Sequence, residues 1–290
     1  MFYLILITMS KIYHYTTIDT LALILLNRTI RFNRLDHVDD EEEYIFGSGK
    51  SDVKIGKYVF VSCWTKDAAE NPTLWEYIER KGGTRNAVRI GLDENMFVSY
   101  PLIKGSNECK TFFPHTYESD GDCFFHSFAN TIKLHDIQYV NKNLEQIKGL
   151  INEGYDVVKI KTHELGLYKN REKWENQKES RFRIIAFPTI EKFESRDDEI
   201  GVESINDSLK LIDLIVPLLK QNHPISLEYK DLPIKSNILN SIEVIMGPHT
   251  TKDDKEKVQR LLYPCPLQRL FSKRRIYDSN LNNSKQNSKQ

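Results

Sequence analysis

The apolar positions of this chain fall into short strand-like runs joined by a few stretches of helical period. Ile12 to Thr16 reads as a strand, and Thr17 or Asp19 can cap a helix to about Asn27 with Leu21, Ile24 and Leu25 on its apolar face. Ile30 to Phe32 returns as a strand. Tyr58 to Trp64 is dense in β-branched and aromatic residues, which predicts a buried strand, followed by a helix carrying Leu74, Trp75 and Ile78. Further strands are expected at Ala87 to Leu92, Tyr155 to Lys161, Arg181 to Phe187 and Ile242 to Met246. Helices are expected from Asn141 to Asn152 and from Ser204 to Leu219, the second frayed or kinked by Pro217. After Gly247-Pro248, Thr250 or Thr251 caps a helix reaching about Leu262, with Asp253 and Asp254 in its first turn.

These elements do not alternate regularly enough for a doubly wound sheet, and no Pro-, Gly- or Ser-rich linker interrupts Lys11 to Tyr277. One α+β domain over residues 11–277 is therefore expected. Met9-Ser10-Lys11 looks like a natural beginning, so residues 1–10 read as an N-terminal extension or a misassigned start. The tail, residues 278–290, is almost entirely Asn, Ser, Lys and Gln from Asn280 onward; it has too little apolar area to bury and is expected to be disordered.

Composition narrows the classes of partner. Lys plus Arg total 41 and Asp plus Glu total 41, so no global field draws the chain to nucleic acid or an anionic membrane. The four cysteines lack any C-x-x-C spacing, which argues against a zinc or disulfide framework and for a reducing cytoplasm. Met1 to Thr8 is apolar but far too short to span a bilayer, so no membrane association is expected.

Candidate chemistry centres on Lys173 to Ile185, where Gln177 and Glu179 precede an apolar run. In strand conformation these two share a face while Lys178 points away. A carboxylate beside an amide suits chemistry in which positive charge develops on a sugar ring; a solvated strand entry is the plainer account of the same residues. Trp174 reads as the anchor of the loop ahead of Gln177.

Three separated pieces, Tyr13-His14-Tyr15-Thr16, Ser62 with Trp64, and Gln177 with Glu179, together resemble the three-strand layout of the ADP-ribosyltransferase fold. In that layout a His or Arg on the first strand, a Ser, Thr or Tyr midway and a late Glu surround NAD. The chain from Ile12 to Leu262 also resembles the bacterial and phage domain-of-unknown-function family 2971. Four segments carry this: Ile12 to Thr16; Phe60 to Trp64 with Leu74 to Tyr77; Trp174 to Arg181; and Ile242 to Pro248. That family often shows Glu where this chain has Gln177, and an Asn-Asp-Pro turn where it has Asp36 to Asp40.

The resemblance implies a central, mostly antiparallel split sheet flanked by helices. It implies an enzyme that takes NAD as substrate and transfers ADP-ribose to a macromolecular acceptor. Glu179, Gln177 and His14 would be catalytic, Glu179 steadying charge at C1 of the ribose as nicotinamide leaves and His14 bonding that ribose. NAD would be bound by Tyr15, Thr16, Ser62, Trp75, Tyr77 and Arg181: Trp75, Tyr77 or Tyr15 as an aromatic face, Ser62 against Glu179 or ribose, Arg181 with Arg183 on the pyrophosphate. It also implies a cytoplasmic phage-defence or toxin effector with an antitoxin or regulator as partner. A module of the same fold that binds a nucleotide or nucleic acid without chemistry is the alternative.

Plainer accounts stand beside each of these residues. His14 and the aromatics pack cores more often than they bind ligands, and Arg181 can be a structural ion-pair partner of Glu179. Cys123-x-x-His126, with His115, Asp122, His135 and Asp136 nearby, lacks the second close pair a zinc site needs, so no metal is expected. The acidic run Asp39, Asp40, Glu41 and Glu43 reads as a solvated helix start rather than a magnesium site. Arg269, Lys273, Arg274 and Arg275 with Phe271 and Tyr277 can touch a nucleic-acid backbone or simply end the fold in solvent.

Overall fold

Residues 10–38, 43, 54–82, 85–103, 108–141, 151–153, 158–160, 164–189, 215–264 and 273–281 are described by a computed structural model. Thr17 ends the first strand, Lys11–Thr17 (β1), and its hydroxyl caps helix Ile18–Asn27 (α1) by accepting from the Thr20 amide at 3.2 Å. Arg28, at φ 56°, then turns the chain into Thr29–Arg34 (β2), so β1 and β2 leave opposite ends of one helix. Val59–Thr65 (β3), Pro72–Gly82 (α2) and Ala87–Asp93 (β4) follow. Tyr117–Asp120 (β5) and Cys123–His126 (β6) form a hairpin whose tight turn places Gly121 at φ 62°. The second half adds Tyr168–Asn170 (β7), the short helix Arg171–Trp174 (α3), the long strand Glu179–Pro188 (β8), Tyr229–Pro233 (β9) and Glu243–Met246 (β10). It ends with Lys252–Leu262 (α4) and Arg275–Asp278 (β11). Of the two caps the sequence leaves open, Thr251 is the one used, and with Asp254 it forms a reciprocal capping box on α4.

An eleven-stranded sheet runs β11-β10-β4-β1-β3-β8-β6-β5, with β2 beside β3, β9 beside β2, and His135–Asp136 beside β8. Its pairings are antiparallel except for β10 with β11. The architecture is therefore mixed α+β, a large mostly antiparallel sheet with few helices.

One edge of β3 is shared by two strands. Near its start β2 pairs with it, Asn33 opposite Val61, and near its end β1 does, Tyr13 opposite Thr65. Between those points Ser62, Cys63 and Trp64 have no strand partner on that edge among the described residues. His14 fills part of the break, its Nδ1 lying 2.7 Å from the Cys63 carbonyl oxygen. The other edge of β3 pairs without interruption with β8, from Glu179 opposite Thr65 to Ile185 opposite Val59.

Opposed residues of paired strands share a face, and alternate residues switch faces. The register thus puts Tyr13, Cys63, Thr65, Glu179 and Arg181 on one face, and His14, Ser62, Trp64 and Phe182 on the other. The second face builds the main core, where Phe182 meets Phe97 at 4.9 Å between ring centroids and Phe97 meets Phe32 and Phe112.

Several expectations change. Ile151–Glu153, assigned to the end of a helix, pairs instead as a strand with Val158–Ile160; residues 142–150 lie outside the described residues. Of the Ser204 to Leu219 helix only residues from 215 are described, helical through 220 with Pro217 inside. Strand β11 was not foreseen. Beyond it Ser279 is buried, its hydroxyl donating to Glu70 Oε2 at 2.6 Å while the Asn280 amide donates to Glu70 Oε1 at 2.8 Å. The polar tail is therefore packed as far as Leu281, and residues 1–9 and 282–290 lie outside the described residues. Arg274 of the basic cluster closes the C-terminal end of α4 by donating to the Leu262 carbonyl at 2.5 Å; Arg269 and Phe271 are outside the described residues. No described helix is long and apolar enough to cross a membrane.

Candidate functional site: a cleft at the interrupted edge of a strand

Where β1 and β2 part, a cleft of about 590 Å³ opens, a size suited to a small-molecule ligand. Helix α1 lends Thr20, Leu23, Ile24 and Asn27, and α2 lends Leu74, Tyr77, Ile78 and Lys81, each set spaced as one helical face. The exposed edge of β3 lies between them, so the cleft reaches residues of both sheet faces. His14, Tyr15, Thr16, Ser62, Tyr77, Gln177, Glu179 and Arg181 all line it.

A carbonyl only accepts, so His14 must donate from Nδ1 to Cys63, which leaves Nε2 as the acceptor of the ring. Burial lowers its pKa, against the effect of that bond, and keeps the ring neutral. The imidazole packs on Trp64 at 5.1 Å, and Ser62 accepts from the Trp64 indole at 3.0 Å. Ser62 therefore fixes Trp64. It does not brace Glu179, which lies on the opposite face of the sheet.

The aromatic candidates separate. The Tyr15 hydroxyl accepts from the Asn71 amide at 2.8 Å and its ring stands edge-on to Trp75 at 4.8 Å. Trp75 is only 1% exposed, donates to Glu70, and does not line the cleft, so its expected role against a nicotinamide ring is excluded. Tyr77, two residues further along α2, borders the cleft instead.

Gln177 and Glu179 meet by a route other than strand alternation. Gln177 ends the single 3-10 turn Glu175–Gln177, and Lys178 sits at φ 47°, so β8 begins only at Glu179. Both side chains are 7% exposed and both reach Lys169: its Nζ lies 3.2 Å from Gln177 Oε1 and 2.6 Å from Glu179 Oε2. The Tyr139 hydroxyl accepts from the Glu179 amide at 2.7 Å.

Arg181 is 1% exposed and all five of its N–H bonds are used. Nε donates to Glu179 Oε1; Nη1 donates to Glu43 Oε2 at 2.5 Å and the Gly166 carbonyl at 2.9 Å; Nη2 donates to Glu43 Oε1 at 3.1 Å and Glu179 Oε2 at 3.3 Å. Arg181 is thus a structural ion-pair partner and has no donor left for a pyrophosphate. Arg183 is buried on the same strand and does not line the cleft. Gly166 is at φ 71°, and a Cβ there would stand 3.2 Å from Val59 Cγ1, so the carbonyl that meets Arg181 depends on glycine.

Glu43, Lys169, Glu179 and Arg181 together form a neutral buried cluster of two anions and two cations. Burial pushes the Glu179 carboxyl up, but Arg181 and Lys169 outweigh it and hold the group well below the usual carboxylate range. The Cys63 thiol beside it is pushed up to about 12, by burial and then by Glu179. The sequence reading missed Lys169 altogether, and took Glu43 as part of a solvated acidic run. Asp39, Asp40 and Glu41 of that run lie outside the described residues. Cys123 and His126, the other ligand-like pair, make local bonds to the Asp120 carbonyl and the Phe128 amide. Among the described residues no three His, Cys, Asp or Glu side chains gather as a metal site.

No protein-family model matches the chain, and no curated protein and no solved structure matches it. The family resemblance therefore stands on the segments quoted for it.

Proposed function

We propose that the cleft binds NAD and that the protein is an ADP-ribosyltransferase-like enzyme, passing ADP-ribose to a macromolecular acceptor. The observation that supports this is the break in pairing along β3. With β1, β3 and β8 side by side, it brings His14, Gln177 and Glu179 to one cleft of about 590 Å³. Neutral His14 offers Nε2 to a ribose hydroxyl. Glu179 remains anionic, as a group that stabilises positive charge at the anomeric carbon must. The C1–N bond breaks with its electron pair leaving on nicotinamide, and the acceptor's nucleophile forms the new bond to C1. A phage-defence or toxin role with an antitoxin or regulator belongs to the same proposal and rests on the family resemblance alone.

The pairing of Glu179 with two cations supports a second reading, a nucleotide-binding module without turnover, because a compensated carboxylate has less negative potential to offer a cationic sugar. Calorimetric NAD binding and nicotinamide release, compared between wild type and Glu179→Gln, decide between them. NAD bound by both proteins, no more than about tenfold weaker in the variant, with release at saturating NAD lowered about 10²-fold, is expected for the enzyme. Binding with no release from wild type across varied acceptors selects the module. Wild-type protein that does not bind NAD overturns the first reading.

A further inference from the structure

The Lys169 ammonium has three N–H bonds and meets three acceptors: Glu179 Oε2 at 2.6 Å, and Glu43 Oε1 and Gln177 Oε1 each at 3.2 Å. Its Nζ also lies 4.7 Å from the centroid of the Trp174 ring, so it is walled on one side by an aromatic face. An ammonium only donates, and therefore Gln177 must turn its carbonyl oxygen to Lys169 and its NH₂ away. That nitrogen has no partner among the described residues, and the side chain borders the cleft. Glu179 is fixed in the same way, with Arg181 on Oε1 and Lys169 and Arg181 sharing Oε2.

Resting on the reading of the cleft as an NAD site, we propose that Lys169 is its positioning residue: one ammonium orients the Gln177 amide and the Glu179 carboxylate together, so that a ligand meets a hydrogen-bond donor and an anion in fixed register. The groups facing Glu179 are Arg181 on its own strand, Lys169 on β7, Cys63 on β3 and the Tyr139 hydroxyl at its amide, with Glu43 across the shared cations. Loss of Lys169 leaves two carboxylates around one guanidinium and removes the group that dictates which way Gln177 points. A lysine serving the fold alone would shift the Glu179 titration by its charge and leave the pH dependence of NAD affinity unchanged.

The test compares wild type with Lys169→Met and Lys169→Arg. The Glu179 carboxyl is followed by ¹³C NMR through a pH titration of the ligand-free protein, its signal assigned by loss in Glu179→Gln. NAD affinity is then measured at pH 5 and pH 8. In wild type the carboxyl should stay ionised across the acid range in which the protein is folded, and in Lys169→Met it should titrate within that range. NAD affinity of the Met variant should fall about tenfold more at pH 5 than at pH 8, the equivalent of about one pKa unit, and Lys169→Arg should restore the wild-type titration. If Lys169→Met does not fold, Lys169→Gln, which removes the charge but keeps a hydrogen-bonding head, gives the same readout. An unchanged Glu179 titration in the folded neutral variant overturns the proposal, as does an equal loss of affinity at both pH values. If wild type does not bind NAD the functional reading fails separately, and the titration still decides whether Lys169 holds Glu179 ionised.

Discussion

The two faces of the β3–β8 pair are both buried, by different physics. On one, Phe182 sits among Phe97, Phe32 and Phe112 with ring centroids 4.9 to 5.6 Å apart. On the other, its strand neighbour Arg181 sits with Glu179, Glu43 and Lys169 in a cluster where every N–H of both cations has an acceptor. Apolar packing is non-directional, so a side chain of similar volume can replace another at modest cost. A buried charge cluster is tolerable only while each desolvated charge keeps its partners, so it is brittle. Alternate residues of one strand thus supply a forgiving core and an exacting site.

The largest expected contrast is between Arg181→Met and Ile184→Leu. The first leaves Glu43 and Glu179 with Lys169 alone and should cost about 3–5 kcal/mol. The second, a volume-conserving change at a fully buried position of the apolar face, should cost less than about 1.5 kcal/mol. Urea unfolding measures both, and equal losses would break the comparison.

Acid provides a second, smaller contrast. An unfolded glutamate titrates near pH 4.3, roughly its free value, whereas Glu179 in the fold is held well below this. Its contribution is therefore fully present above about pH 4.3 and is lost as pH falls toward the folded pKa. Glu179→Gln should be less stable at neutral pH and lose less stability than wild type on acidification below about pH 4.3. His126 acts earlier: burial lowers its folded pKa to about 4, so between its free value of about 6.5 and that point the unfolded chain takes the proton first. Both proteins should lose stability alike over that upper window. Identical curves for the two proteins below pH 4.3 would mean that Glu179 is not held as described.

The smallest effect is expected at Arg31 and Asp231, a bidentate pair with both bonds at 2.9 Å but side chains 43% and 29% exposed. Asp231→Asn should change stability by less than about 1 kcal/mol, because water screens the pair. A loss approaching that of Arg181→Met would show that geometry, rather than burial, sets the cost of breaking an ion pair in this protein.

Local pattern alone was enough for β1 and α1, for the body of β3, and for α4, because each depends on neighbours within a few residues; the choice of Thr17 over Asp19 and of Thr251 over Thr250 as caps came from the structure. It was enough, too, to single out Gln177 and Glu179, although the reason offered, a shared strand face, was displaced by the left-handed backbone at Lys178. Trp75 shows the limit from the other side. Its composition suits a ligand face or a core equally, and only its packing against Tyr15 and Ala87 decides for the core.

What the amino-acid order determined by itself is β1, α1, β2, β3, α2, β4, β8, β10 and α4, since periodicity, caps and β-branched runs act over one or two turns of chain. Tertiary structure alone decided that Arg181 reaches 138 residues back to Glu43, that Lys169 stands between Gln177 and Glu179, and that β1 and β2 part and leave the Cys63 carbonyl to His14. Those contacts are made across strands whose registry depends on the whole sheet, and desolvation then converts ordinary charged residues into one interdependent cluster.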